Sequence, residues 1–375
     1  MIVNPWRRHL ASVLVAAAYG GMTGCSQAGV LPDGWKADCV GRMQIGLPGD
    51  VEVAALTAED FQNYVPGKRN EKFQDGKRVF ASSLSFMGLI AVSHPVDDAV
   101  RKRFLEIAKR TGVDEAKRLK ERHGISALHY PATFESLPTA KQKGLAWRIG
   151  PSYSAYIEVG ESGLWWGVDS SPDQLPALGE YYQTLIEGVS ARSLYTVPAD
   201  PGVCLPYVFI RDDGKHDRKI NATYRLREHP DITIWFEDQG AERAEKGRNP
   251  DRYSATGRSD FFWMQRYSGG RFALRSLWGD TYKKVSLTAG NGVESFVAMK
   301  RADGTEDYGY LLAIRGDPDA KEDRPDLMMY VIRDAANARS KGIEPASQEQ
   351  ILGIGRAVAA SIRHRVGSVS ETPSK

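Results

Sequence analysis

Residues 222–236 read ATYRLREHPDITIWF, and their alternation decides the fold class. Ala222, Tyr224 and Leu226 alternate with polar neighbours, and Ile232, Ile234 and Phe236 repeat the pattern after His229-Pro230-Asp231. A period of two is the signature of strands with one face in a core. Downstream, similar runs at 261–267, 271–278, 284–288, 293–300, 308–315 and 327–333 predict a meander. Residues 238–259 are polar and rich in charge and predict a long loop or disordered excursion. Ser347-Gln348-Glu349-Gln350 has the form of a capping box and predicts a closing helix through Ile351, Ile354, Val358 and Ile362.

The same order runs upstream. Val40, Met43, Ile45 and Leu47 form a strand pattern that ends at Pro48-Gly49, and 78–92 suits a strand pair or one long strand. Val100, Phe104, Ile107, Ala108, Ala116 and Leu119 recur near the helical period over 97–122, with a break expected at Gly112. Strands return at 145–149 and 155–168, with a hairpin turn at Gly160–Gly163. Ser171-Pro172-Asp173 then caps a helix containing Leu178, Tyr182 and Leu185. Residues 195–202 (YTVPADPG) carry two prolines and no periodicity, and read as a linker. The expected fold is therefore α+β, in two domains at 39–194 and 203–366, each a mainly antiparallel sheet with flanking helices. A tail at 367–375 follows.

Residues 1–24 read as a signal. Arg7 and Arg8 precede the apolar run 10–19 (LASVLVAAAY), which is too short for a bilayer span of about 20 residues. Met22-Thr23-Gly24-Cys25 places small residues before a thiol, the pattern of bacterial lipoproteins, so Cys25 is the expected lipidation site and 25–38 a tether. An ordinary signal peptide with an incidental cysteine is the alternative. Ser26 rather than Asp after the cysteine favours the outer membrane, and the expected location is the periplasm, held by lipid. Lys and Arg total 50 against 47 Asp and Glu. Two of those bases lie in the signal, so the mature chain is near neutral and lacks the basic footprint of a nucleic-acid binder.

Cys39 and Cys204 remain, and in an oxidising compartment they read as a disulfide, with two buried thiols as the alternative. Neither zinc spacing nor a thioredoxin motif is present. The chain has no G-x-S-x-G elbow, no H-E-x-x-H and no P-loop. His123 and His129 flank a helix end without accompanying carboxylates. Asp212, Asp213 and Asp217 around Gly214 lack calcium-loop spacing and read as a solvated hairpin. Trp165-Trp166 and Phe261-Phe262-Trp263 are the densest aromatic sites. Alternation turns one ring of each set inward and another outward, which gives core packing or a protein-binding edge. No catalytic residue, metal or cofactor is expected.

Four stretches carry a family resemblance: Cys39-Val40-Gly41-Arg42 leading to Ile45-Gly46-Leu47-Pro48; Gly202-Val203-Cys204; Tyr224–Ile232; and Ser361-Ile362-Arg363-His364-Arg365. Together they resemble immunity proteins against the fourth family of type VI secretion lipase effectors. The resemblance implies two α+β domains and a non-enzymatic protein that binds and neutralises a phospholipase effector, by clamping its lid or its cleft. A disulfide between Cys39 and Cys204 would then fix the angle between the domains. An outer-membrane scaffold or assembly factor is the alternative function, and a periplasmic hydrolase with an unfamiliar site is a third.

Overall fold

The strand pattern around residue 222 becomes the middle of a long antiparallel sheet. A computed structural model of the chain describes residues 31–57, 60, 71–79, 83–122, 134–169, 174–214, 216–243, 250–267, 274–301 and 304–365. Strands β1 (Trp35–Val40) and β2 (Met43–Pro48) form a hairpin, followed by β3 (Val51–Val53), β4 (Ser83–Ser85) and β5 (Gly88–Val92). Helix α1 (Asp98–Arg122) leads to β6 (Phe134–Leu137), β7 (Gly144–Ile149), β8 (Ser152–Val159) and β9 (Ser162–Val168). Next come α2 (Leu175–Gly188), β10 (Val189–Ala191), β11 (Gly202–Leu205) and β12 (Val208–Arg211). The second half opens with β13 (Arg218–Leu226), β14 (Ile232–Gln239) and α3 (Ala255–Phe261). It continues through β15 (Leu274–Ser276), β16 (Lys283–Leu287), β17 (Gly290–Lys300), β18 (Glu306–Ile314) and β19 (Asp326–Arg333). Helices α4 (Ala335–Ser340) and α5 (Gln348–Ser361) and strand β20 (Arg363–His364) close the fold.

The main sheet runs β15-β17-β18-β19-β14-β13-β4-β5-β9-β8-β7-β6, with β16 also on β17 and β3 also on β13. Strand β13 joins the halves. One edge pairs with β14 from Lys219↔Gln239 to Arg225↔Thr233. The other is shared by β4 (Lys219↔Leu84) and β3 (Tyr224↔Val53). The halves expected on either side of 195–202 thus share a sheet, and the described residues from Leu31 onward form one unit. Two small sheets, β1-β2-β20 and β10-β12-β11, complete the β structure.

Both faces of the sheet are covered at β19, which explains its unbroken apolar run, DLMMYVIR. Leu327, Met329 and Val331 join the inner core with Ile234, Phe236, Tyr310 and the helix residues Leu178, Leu185, Ile351 and Val358. Met328, Tyr330 and Ile332 face outward and pack with Trp235, Phe262 and Trp263. On the same outer face Phe104, Ile107 and Ala108 of α1 cover Ala91, Trp147 and Tyr156.

Three expectations change. Helix α1 runs through Gly112 unbroken, because the absent side chain lets the helix approach the sheet: a Cβ there would lie 2.9 Å from Phe134 and from Trp147. Residues 255–261 are helical rather than looped, and 262–267 form a π-helical turn rather than a strand. The Ser254 hydroxyl caps this helix by accepting from Gly257 N at 2.9 Å, and the helix drives Phe262 and Trp263 onto the sheet. The expected strand at Val40–Leu47 is instead two strands turning at Gly41-Arg42. The expected capping box is present at Ser347 and Gln350. The signal, Cys25, the 367–375 tail, His123, His129 and the cap at 171–173 lie outside the described residues. Among the described residues no helix is long and apolar enough to cross a membrane.

Two glycines of α5 give opposite predictions. A Cβ on Gly355 would lie 2.5 Å from the Tyr310 ring, whereas one on Gly353 meets nothing within 4 Å. Gly353→Ala should stabilise by up to about 1 kcal/mol through helix propensity. Gly355→Ala should destabilise by about 1–3 kcal/mol, since overpacking exceeds that gain. Urea denaturation of both variants checks the signs.

Candidate interaction surface and the buried junction beneath it

Charged side chains leave water only when partners replace it. Beneath the surface, at the junction of the halves, several do. Arg42 sits in the β1–β2 turn, 2 % exposed, and its backbone N donates to Asp238 Oδ2 at 2.7 Å. Its guanidinium donates to Asp212 Oδ2 at 3.1 Å and to the His216 carbonyl at 3.1 Å. Arg218 of β13 donates to the same Asp238 oxygen at 2.7 Å and to Asp323 at 2.7 Å. Gly41 precedes Arg42 at φ +58°, and a Cβ there would strike Asp238 at 2.2 Å, so this turn requires glycine.

A second buried centre lies on β1. Asp38 accepts from Arg192 at 2.6 Å and from the Tyr224 hydroxyl at 3.0 Å. Burial first, then the charge on Asp38, pushes the Tyr224 hydroxyl well above its ordinary pKa, which keeps it a neutral donor. Arg192 also donates to the carbonyls of Cys39 at 3.1 Å and Leu205 at 3.0 Å. Cys39 and Cys204 are joined by a disulfide across a Cα separation of 5.7 Å, and Gly41 and Cys204 exchange two backbone hydrogen bonds of 2.8 Å.

Arg365, directly after β20, donates to the carbonyls of Pro198 and Gly202, both at 2.5 Å, and so ties the 195–202 segment to the end of the described fold. Desolvation, then the charge on Arg192, lowers its pKa to about 10. The junction thus locks the N-terminal hairpin, the 195–202 segment, β13, β14 and the C-terminal strand together.

In the turn around Gly214, Asp213 and Asp217 are exposed as expected, but Asp212 is not. Asp212 is buried against Arg42 and also accepts from Gly214 N at 2.8 Å, while the His216 ring lies 5.0 Å from both Phe86 and Tyr181. Among the described residues no group of three or more His, Cys, Asp or Glu is placed to hold a metal ion.

Among the described residues, the large apolar side chains exposed to solvent are Leu84, Met87, Val113, Phe261 and Met264. Of the aromatic pairs, Trp166, Phe262 and Trp263 are buried, Trp165 is half-buried and Phe261 is exposed. Sequence reasoning missed a second exposed apolar site, on the β4–β5 hairpin. Leu84 is 39 % and Met87 40 % exposed. The hairpin turns through Phe86 (φ +53°) and Met87 (φ +61°), left-handed positions that usually take Asn or Gly. Buried Phe86 anchors this turn, and the Trp166 indole donates to the Ser85 carbonyl at 3.3 Å. The letters SFMG carry no turn signature, so nothing in the sequence marked the hairpin tip.

Residues 196–367 match the family model described as "Tle cognate immunity protein 4 C-terminal domain". Among solved structures, the chain is similar to the apo immunity protein TplEi of the type VI secretion system of Pseudomonas aeruginosa. That match has a TM-score of 0.55 and 18 % identity, and covers 89 % of this chain and 98 % of the other. TplEi complexed with an "L" peptide, from the same organism, matches at a TM-score of 0.54 and 16 % identity, covering 89 % and 99 %. A chain of the Tle4–Tli4 complex matches at 0.55 and 17 %, covering 89 % and 98 %. At these identities the structures share the fold. No curated protein matches.

Proposed function

We propose that the chain, whose residues 196–367 match the model of the Tle cognate immunity protein 4 C-terminal domain, is a lipid-anchored periplasmic immunity protein. In this reading it binds a type VI secretion phospholipase effector and prevents it from reaching lipid. The family match carries the reading. The partnership is taken over from the Tle4–Tli4 complex, whose immunity chain shares this fold.

Lipidation at Cys25 would hold the inhibitor beside the membrane that such an effector attacks. Inhibition needs no chemistry from this chain. A lipase must expose its active cleft to lipid, commonly by moving a lid, and a rigid body that grips the lid or fills the cleft blocks that step. The twelve-strand path of the main sheet, shared by both halves and locked at the Arg42–Asp238–Arg218 junction, is suited to such a grip because little backbone freedom remains to be lost on binding.

The test is co-expression in the periplasm with the product of the adjacent gene. Growth and phospholipid should survive when this chain is present and be lost in its absence. A harmless neighbour, or one that stays lethal beside this chain, would overturn the reading. Cys25→Ser adds a check on anchoring: membrane-bound chain should become soluble, and a chain that remains in the membrane fraction removes the lipid from the proposal.

A further inference from the structure

Residues 71–79 (EKFQDGKRV) lie against β13 without entering the strand order of the sheet. Lys72 and Ala55 exchange two backbone hydrogen bonds, of 3.0 and 3.1 Å, and Lys72 faces Arg78 across a tight turn. In that turn Phe73 N donates to the Lys77 carbonyl at 3.1 Å and Gly76 N to the Phe73 carbonyl at 2.9 Å. Phe73 and Val79 pack with Ala54 in a small apolar cluster of their own. The other fastenings are ionic, and most of them reach the C-terminal half. Lys72 pairs with Asp60 at 2.8 Å, Asp75 with Arg225 of β13 at 2.6 Å and with Lys341 at 3.8 Å, and Lys77 with Asp334. Gln74 N donates to Glu52 Oε1 at 2.5 Å, and the Arg225 guanidinium lies 4.2 Å from the centroid of the Phe73 ring.

We propose that 71–79 is an ionic strap that opens as a unit ahead of global unfolding, more readily as salt rises, while β13 beneath it keeps its pairing. Little apolar surface holds the strap, and its tip, Gln74 to Arg78, is exposed. Both features belong to the low-stability end of a fold. The charges of the strap alternate, and each named pair joins opposite signs across the contact. The Asp75 and Lys77 side chains remain 39 % and 41 % exposed, so dissolved ions reach these pairs and screen them. Opening also strands no receiving charge. Arg225 keeps Glu52 at 2.6 Å, Asp60 keeps the Thr57 amide at 3.0 Å, and Asp334 keeps the Asn337 amide at 3.2 Å. The strap therefore lifts without disturbing what it leaves. The Arg42–Asp238–Arg218 junction is the contrast, since its charges are buried out of reach of salt. The halves are thus tied twice, once by a sealed network and once by a tie that ionic strength loosens.

Amide hydrogen exchange of the folded chain reads the opening. The Phe73, Gly76 and Val79 amides, each bonded within the strap, report on it, and the amides of β13 and β14 report on the sheet. Rates are taken relative to an unstructured peptide at the same salt. At low salt the strap amides should exchange faster than the sheet but well below the unstructured rate. Raising salt from about 0.05 M to about 0.5 M should speed them about tenfold and leave the sheet unchanged. Asp75→Asn keeps an acceptor for the Lys77 amide but removes the charge facing Arg225 and Lys341. It should give the same acceleration at low salt, with little left for salt to add. Asp200→Asn, at the exposed pair with Arg211, is the control and should match the wild type. Strap amides that exchange no faster than β13 and β14 would show that the strap opens only with the whole fold, and would overturn the proposal. Rates indifferent to both salt and Asp75→Asn would overturn the ionic fastening. Unstructured rates at low salt would mean that nothing holds the strap, which overturns it equally.

Discussion

Asp238→Ala should lower the stability of the folded chain by about 3–5 kcal/mol, the usual cost of removing one partner from a buried ion network. One carboxylate oxygen of Asp238 receives both the Arg42 amide and the Arg218 guanidinium, each at 2.7 Å. Its loss strands a buried amide and leaves Arg218, 5 % exposed, with Asp323 alone. Asp238→Asn keeps an acceptor but not the charge and should cost less. Replacing Arg218 and Asp238 together by apolar residues of similar volume should recover part of the loss, because no stranded charge then remains. Urea titration with a constant m-value checks the order Ala, Asn, double replacement. A loss under about 1 kcal/mol for Asp238→Ala would mean that water replaces the carboxylate and that the network is not sealed.

That network also marks the boundary between what the residues reveal locally and what they do not. Alternation at 222–226 and 232–236 identified β13 and β14, because the inner face takes apolar side chains and the outer face mostly polar ones, although both faces are largely buried. The capping box at Ser347 was legible because both partners sit within four residues. The α+β class followed from such local signals. Gly112 was misread because its role is the approach of Phe134 and Trp147 from other strands, and a glycine that permits contact looks the same in sequence as one that ends a helix. Residues 261–267 were misread because FFWMQRY has strand propensity, yet Ser254 caps a helix just before them, Trp235 and Tyr330 hold the Phe262 ring on the sheet, and the Trp263 indole donates to the Ser295 hydroxyl at 2.8 Å. Arg42, Asp212, Arg218 and Asp238 are ordinary polar letters in isolation. Their partners stand 20 to 196 residues away, and only the register of β13 between β14 and β4 brings them together. Leu84 and Leu89 likewise become neighbours only through strand pairing.

Removing the Cys39–Cys204 disulfide should give the other large effect. The bond closes a loop with a sequence separation of 165, for which chain entropy gives about 4–5 kcal/mol. Cys39→Ser and Cys204→Ser should therefore each lose several kcal/mol and melt well below the wild type under oxidising conditions, while wild type in reductant should match them. Inhibition is a separate matter. If the disulfide alone set the angle between the halves, a folded variant would fail to inhibit. The geometry argues otherwise. Gly41 and Cys204 exchange two backbone hydrogen bonds, Arg192 holds Asp38 and the Cys39 carbonyl, and β13 pairs with both β3 and β4. These contacts keep the hairpin in place without the sulfur bridge, and the shared sheet orients the halves. Folded Cys39→Ser at low temperature should thus protect against the effector as the wild type does, and lose protection only as the temperature approaches its own Tm. Loss of protection well below that Tm would return the orienting role to the disulfide. Equal melting of variant and wild type would show that the bond stores little stability and that the surrounding hydrogen bonds already confine the unfolded chain.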